Sequence, residues 1–375
     1  MSRPGTFEIL AVDPNTDARR GRLFTAHGTI ETPVFMPVGT QASVKAMSPE
    51  ELKAIDCEIL LSNTYHLNDR PGIDLIEEMG GLHTFMGWDG AILTDSGGYQ
   101  VFSLSRMNKI TAEGVEFQSH VDGRRLFLGP MEAMEIQRRL GSDIAMVFDE
   151  CPPYPCQSDY ACQAVDRTLG WAARCAQQPC AEGQLIFGIV QGGLFDELRQ
   201  RCARELVEIG FDGYAIGGVS VGESEDLIQR GLEITAPYLP VERPRYAMGV
   251  GILSQMIEGV ANGVDMFDCV LPTRLARNGT AFTAKGRYPV KAGRFRKDSR
   301  PIEEGCSCYA CRHFTRAYVR HLLNVDEILG MRLVTMHNLY RYAEIMKEVR
   351  ESITAGDFAN YRAAFVATYR NVLLE

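Results

Sequence analysis

Three aspartates each follow a short apolar run: Asp95 in Thr94-Asp-Ser-Gly-Gly-Tyr-Gln100, Asp149 in Phe148-Asp-Glu-Cys151, and Asp268 in Gly263-Val-Asp-Met-Phe-Asp268. Gln191-Gly-Gly193 and Gly217-Gly218 end two further runs, and Met248-Gly249 ends another. A lone Asp after a strand is usually the N-cap of the next helix. Three of them at equivalent ends, with a Gln and repeated glycines, point to an active site. No His lies among these residues, so a Ser-His-Asp relay has little support. Carboxylates suit glycosidic chemistry, where one attacks an anomeric carbon and another shuttles the proton. Asp149 and Gln191 can hold the edges of a flat heterocycle, and Gly218 lets backbone approach closely. Tyr99 and Met248 can form the apolar faces of the slot. A general sugar hydrolase would carry more exposed Trp; this chain has two, neither in these segments.

After Asp268 come Pro272, Arg274 and Arg277, which read as a phosphate-binding loop. Residues 274–300 hold nine Lys or Arg and one acid, Asp298. That local +8 sits in a chain of net charge −9, so an anionic polymer is expected to dock at this edge. A second constellation follows in Cys306-Ser-Cys308-Tyr-Ala-Cys311. Three thiolates and one imidazole suit tetrahedral zinc, and four protein ligands would make the ion structural. For the fourth ligand, His337 competes with His321 and with His313, which is awkwardly close to Cys311.

These residues need a scaffold. The chain has 375 residues, 45% hydrophobic and 23% charged, as in ordinary globular proteins. The first residues carry no apolar targeting core, and no stretch approaches the roughly 20 apolar residues of a membrane span. Eleven cysteines, an odd number and mostly scattered, favour reduced thiols in the cytoplasm. Eight apolar runs recur at 33–37, 58–61, 91–94, 144–148, 185–190, 214–216, 246–248 and 266–267. Helical patterns at 131–140, 159–177, 196–209 and 225–236 separate several of them. Eight β-then-α units predict an α/β fold, a (β/α)8 TIM barrel, ahead of a doubly wound open sheet. The barrel brings all the strand C-termini to one rim. Residues 1–32 read as an N-terminal antiparallel hairpin capping the barrel, 33–279 as the catalytic barrel, and 280–375 as a basic segment, zinc-binding subdomain and C-terminal helices.

Taken together, Ser62-Asn-Thr-Tyr-His66, Thr94–Gln100, Phe148–Cys151, Gly188-Ile-Val-Gln-Gly-Gly193, Tyr214-Ala-Ile-Gly-Gly218, Asp265-Met-Phe-Asp-Cys269 and the Cys/His set closely resemble bacterial-type tRNA-guanine transglycosylase, nearly end to end. The resemblance implies exchange of the wobble guanine at position 34 of GUN-anticodon tRNAs, those for aspartate, asparagine, histidine and tyrosine. Asp268 is the implied nucleophile at ribose C1′, and Asp95 the general acid/base. Asp95, Ser96, Gly97, Gly98, Tyr99, Asp149, Gln191, Gly218, Val219 and Met248 match the base-binding positions. Gly249, Val250, Gly251, Ile252, Leu253, Ser254 and Gln255, with Thr273, Arg274, Leu275, Ala276 and Arg277, match anticodon-loop contacts. By the same carry-over, Cys306, Cys308, Cys311 and His337 hold one structural Zn2+ per subunit, and the enzyme is a homodimer.

Relatives that take bulkier queuine tend to have Gly where Val221 stands and another residue at Cys151, so the implied incoming base is preQ1, with queuine as the alternative. Archaeal relatives carry an extra RNA-binding domain with no counterpart here. The chain departs from the pattern at Ile252-Leu-Ser-Gln-Met256, where Thr-Pro-Glu-Asp-Leu is common. Leu275 replaces a small or polar residue, and Val219 a Leu. Rival readings are a base-releasing hydrolase, a catalytically dead partner subunit, which would lack Asp95 or Asp268, and a zinc-dependent nucleic-acid binder, which leaves the carboxylate rim unexplained.

Overall fold

The computed structural model describes residues 3–104, 108–119 and 122–373. Its centre is a parallel sheet of eight strands: β1 (Val34–Pro37), β2 (Ile59–Asn63), β3 (Ala91–Asp95), β4 (Ile144–Met146), β5 (Leu185–Val190), β6 (Gly213–Ile216), β7 (Arg245–Ala247) and β8 (Met266–Cys269). Each pairs with its sequence neighbour, and β8 pairs with β1 through Asp268 opposite Met36. A Val38–Leu61 bridge joins the β1 and β2 edges, so the sheet closes into the predicted barrel. The strands are buried almost throughout, which parallel pairing covered on both faces requires. Leu93, Ile144, Phe187, Ile189, Ala215 and Tyr246 are fully enclosed in the core.

The predicted helices form where apolar spacing and end signals agree. Pro130–Leu140 starts on Pro130 and stops at Gly141, whose φ of 68° suits a glycine C-cap. Ser48 and Glu51 make a reciprocal capping box for Pro49–Lys53. The expected N-terminal hairpin is a three-stranded antiparallel sheet, Phe7–Val12, Arg19–Thr25 and Gly28–Thr32. It reaches the N-terminal side of the barrel through a buried Arg19–Asp265 ion pair, the His27 N–H on Asp143, and the Glu31 N–H on the Glu58 carboxylate.

One addition has no counterpart in the expected rhythm. After helix Gly98–Leu104, the strands Asn108–Ile110, Val115–Gln118 and Arg125–Leu128 form a separate antiparallel sheet before Pro130–Leu140. Its strands are too short for alternation to stand out, although Gly114 and Gly123 have the positive φ of turn residues.

Beyond the barrel, Thr280–Thr283 and Gly286–Pro289 pair as a hairpin, and helices Tyr309–His313, Arg316–Asn324, Ile328–Ala355 and Phe358–Thr368 follow. The 28-residue helix docks on the barrel: Tyr342 lies 4.7 Å from the Phe35 ring and donates to the Gly251 carbonyl. Asn338 donates to the carbonyls of Pro272 and Thr280 and accepts from the Phe282 N–H, tying the tail to the segment after β8.

Candidate active site and metal centre

Parallel pairing puts the predicted residues at one rim because every strand ends there. Asp95 closes β3 opposite Asn63 at the end of β2, and the Asn63 amide donates to Asp95 Oδ2 at 3.5 Å. Asp268 lies in β8 beside β7. The Tyr246 hydroxyl of β7 donates to Asp268 Oδ1 at 2.6 Å, and the Gly249 N–H donates to the same oxygen at 2.7 Å. Asp149 lies three residues past β4, and the Gln191 amide from the end of β5 donates to its Oδ2 at 2.7 Å. A cavity of about 630 Å³ opens among these ends. Asp268 and all ten predicted base-binding residues line it: Asp95, Ser96, Gly97, Gly98, Tyr99, Asp149, Gln191, Gly218, Val219 and Met248.

Two glycines are required by close approach. A Cβ on Gly218, whose φ is +60°, would sit 2.5 Å from Gln191 Oε1. A Cβ on Gly251 would meet Cys269 Cβ at 2.0 Å, next to Asp268 in the chain.

Desolvation dominates the electrostatics. Burial pushes Asp95 well above the usual carboxylate range, and the neighbouring Asp268 and Asp149 charges push it the same way. Burial also raises Asp268, but the Tyr246 hydroxyl and the Gly249 N–H stabilise its ionised form. Asp149 is pushed up to about 6 by burial, against the Gln191 hydrogen bond. Environment thus separates a carboxylate supplied with two donors from a neighbour that tends to hold a proton. That is the pairing an attacking group and a proton carrier need.

The segments expected to touch RNA are more structured than expected. The residues after Asp268 form a helix, Leu271–Arg277, rather than a loop, and helix Leu253–Ala261 begins inside the other segment. Pro272 at the first turn favours that helix start. Val250, Leu253, Gln255, Thr273 and Ala276 are buried. Gly249, Gly251, Ile252, Gln255 and Arg274 line the cavity, with Arg274 exposed, while Ser254, Leu275 and Arg277 are half-buried.

Several residues at the site carried no role in the sequence reading. Asn63 and Tyr246 stood within quoted segments, but their partners lie on neighbouring strands. Glu223 accepts from the Ser220 and Val221 N–H groups, and the chain around it has no separate signal. Arg199 sits within an ordinary amphipathic helix.

The cysteine cluster is assembled across 31 residues of chain, from Cys306 to His337. His337 Nδ1 lies 3.6, 3.5 and 3.4 Å from the sulfurs of Cys306, Cys308 and Cys311. Tetrahedral zinc with bonds of about 2.3 Å to sulfur and 2.0 Å to nitrogen requires S···N edges of about 3.5 Å, so the set fits. His337 Nε2 is 2.7 Å from the Phe282 carbonyl, which can only accept. The proton therefore sits on Nε2, and the Nδ1 lone pair faces the sulfurs. His313 and His321 are exposed and outside the cluster. These four residues can hold a metal ion.

The family model described as queuine tRNA-ribosyltransferase matches residues 13–371. A queuine tRNA-ribosyltransferase of Pelotomaculum thermopropionicum is 56% identical over 97% of this chain and 99% of its own length. Those of Symbiobacterium thermophilum and Bacillus subtilis are 55% and 54% identical, covering 96% and 98% of this chain and 90% and 97% of their own lengths. With the barrel, the carboxylate rim and these matches in place, the chain belongs to the queuine tRNA-ribosyltransferase family, the tRNA-guanine transglycosylases.

Proposed function

We propose that this enzyme replaces guanine 34 of GUN-anticodon tRNAs with preQ1 by double displacement through Asp268. The observation that carries the reading is the contrast between Asp268, served by two donors, and Asp95, raised by burial and by two neighbouring acids, in one cavity. Both donors address Oδ1, so Oδ2 is the oxygen free to attack C1′. As the C1′–N9 bond breaks, its electron pair leaves with guanine, which takes the proton held by Asp95. A covalent ribosyl ester on Asp268 results. The incoming base then gives its N9 proton to Asp95 and attacks C1′, releasing Asp268 as carboxylate. Every proton is returned, and no water is consumed.

Recognition follows from the slot. Ionised Asp149 accepts from the N1 and 2-amino edge of the base, and the Gln191 carbonyl oxygen is a buried acceptor without a partner among the described residues. Tyr99 and Met248 supply the faces. Val221 and Cys151 line the same cavity, and their bulk favours the small aminomethyl group of preQ1 over queuine. Arg274, with Ile252, Ser254, Leu275 and Arg277, is the accessible part of the anticodon-loop surface, and the basic 274–300 segment extends it.

In the same reading, Cys306, Cys308, Cys311 and His337 bind one structural zinc that orders the subdomain beside that basic surface. Tyr309, Tyr318, Val325, Ile328 and Leu329 expose a concentration of apolar side chains on this subdomain. Exposed apolar side chains of this kind accord with the homodimer of this reading. Residues 1–32, 33–279 and 280–375 are taken as cap, barrel and accessory region. The eleven cysteines are unpaired, in keeping with the cytoplasmic enzyme of this reading; among the described residues no helix is long and apolar enough to cross a membrane.

The test is exchange of labelled guanine into tRNA, followed by competition with preQ1 and queuine. Asp268→Ala should stay folded and abolish both exchange and the covalent protein–RNA band. Exchange at near wild-type rate in that variant would overturn the nucleophile assignment. Preferential competition by queuine would move the substrate to the alternative.

A further inference from the structure

We propose that Arg199 is a positioning residue for the incoming base: from outside the cavity it fixes the two loops that carry Gln191 and Gly218. The inference rests on the base-exchange reading and deepens it. Arg199 lies in helix Asp196–Ile209 and is fully buried. Its guanidinium donates to three carbonyls and to no carboxylate among the described residues: Nε to Gly193 at 2.6 Å, Nη1 to Gly217 at 3.1 Å, and Nη2 to Gly218 at 2.9 Å. Gly193 belongs to the loop after β5, and Gly217 and Gly218 to the loop after β6. One rigid fork therefore joins the two turns whose side chain and backbone meet at Gln191 Oε1 and Gly218.

The geometry has a consequence for the donors at the cavity wall. In a trans peptide the C=O and the following N–H point in opposite directions. With the Gly217 and Gly218 carbonyls drawn onto Arg199, the N–H groups of Gly218 and Val219 are turned away from it. Both residues line the cavity. A cation on a carbonyl also polarises its peptide and strengthens the N–H on the far side. On the other flank, the Glu223 carboxylate accepts the N–H groups of Ser220 and Val221, so residues 217–221 are held from both directions.

A buried guanidinium hydrogen-bonded only to carbonyls is costly; burial pushes Arg199 down to about 10, against the more distant Glu223 and Asp196 charges, which still leaves it charged at neutral pH. An apolar side chain would fill the same space more cheaply if packing were the only demand.

The test uses the full-length enzyme with Arg199→Lys, which keeps the charge and loses the fork, and Arg199→Met, which loses both. Guanine binding by calorimetry, KM for guanine, KM for tRNA and amide hydrogen exchange are measured. Loss of one oriented hydrogen bond to the base predicts about a tenfold rise in guanine Kd and KM in Arg199→Lys. The KM for tRNA should stay within about twofold, and amide exchange should quicken in residues 217–223 and not at the zinc subdomain. A purely structural role would instead loosen the whole barrel and affect both substrates alike. Unchanged guanine affinity in a folded Arg199→Lys overturns the proposal, as does amide exchange that quickens uniformly in either variant. Wild-type enzyme that binds guanine but never exchanges it refutes the reaction and not the role of Arg199.

Discussion

Replacing Tyr246 by Phe isolates the hydrogen bond on the Asp268 carboxylate, the nucleophile in the proposed reaction. The phenol is fully buried, and its hydroxyl is 2.6 Å from Asp268 Oδ1. Phe keeps the ring and removes one donor, so packing changes little. A hydrogen bond to a charged group contributes about 1.5–3 kcal/mol. Burial already holds Asp268 above its ordinary value, and the Tyr246 hydroxyl is the first opposing cause. The sign follows: removing the donor raises the folded-state pKa further, and the ionised carboxylate is lost at a higher pH than in the wild type. The acidic limb of the exchange rate should therefore move to higher pH, with a loss of about ten- to a hundredfold on that limb. The Gly249 N–H remains and limits the shift. Because Asp95 and Asp268 titrate as a pair, the limb reports the pair. Guanine exchange measured at saturating tRNA from about pH 5 to 9 is the assay. A limb that stays in place, or moves down, would refute the assignment of Tyr246 as the donor that keeps Asp268 ionised.

The other consequences are shorter to state. Asp95→Asn cannot carry a proton, so turnover should fall by about 10²–10⁴-fold while tRNA affinity is retained; filter binding beside the exchange assay separates these, and a defect in binding alone would contradict the role. Cys308→Ser removes one sulfur from the cluster, while the serine hydroxyl can still accept the Cys311 N–H that caps helix Tyr309–His313. Metal analysis should then find well below the one zinc per chain expected of a four-ligand site, together with a lower melting temperature. Unchanged metal content would remove the cluster as the zinc site.

Much of the barrel was legible in the chain because its signals are local. A strand buried on both faces must be apolar over its whole length, so 185–190 announces β5 without its neighbours. The separate sheet between 108 and 128 was not legible, since strands of three or four residues give too little alternation. The helix Leu271–Arg277 was read as a loop because Pro272 looks like a breaker, and only its place at the first turn makes it a start.

The same division runs through the site. Asp95, Asp149, Gln191, Gly218 and Asp268 were marked by position alone, since each ends an apolar run and all such ends converge in a parallel barrel. Local spacing also singled out Cys306, Cys308 and Cys311. Tertiary structure decided what each residue is paired with. Tyr246 reaches Asp268 from the adjacent strand, Gln191 reaches Asp149 across 42 residues, and His337 completes the cluster from a helix packed on the Phe282 carbonyl. Side-chain identity and periodicity are properties of a few consecutive residues. Hydrogen-bond partnership and desolvation depend on register and closure, which arise only when the eight strands meet.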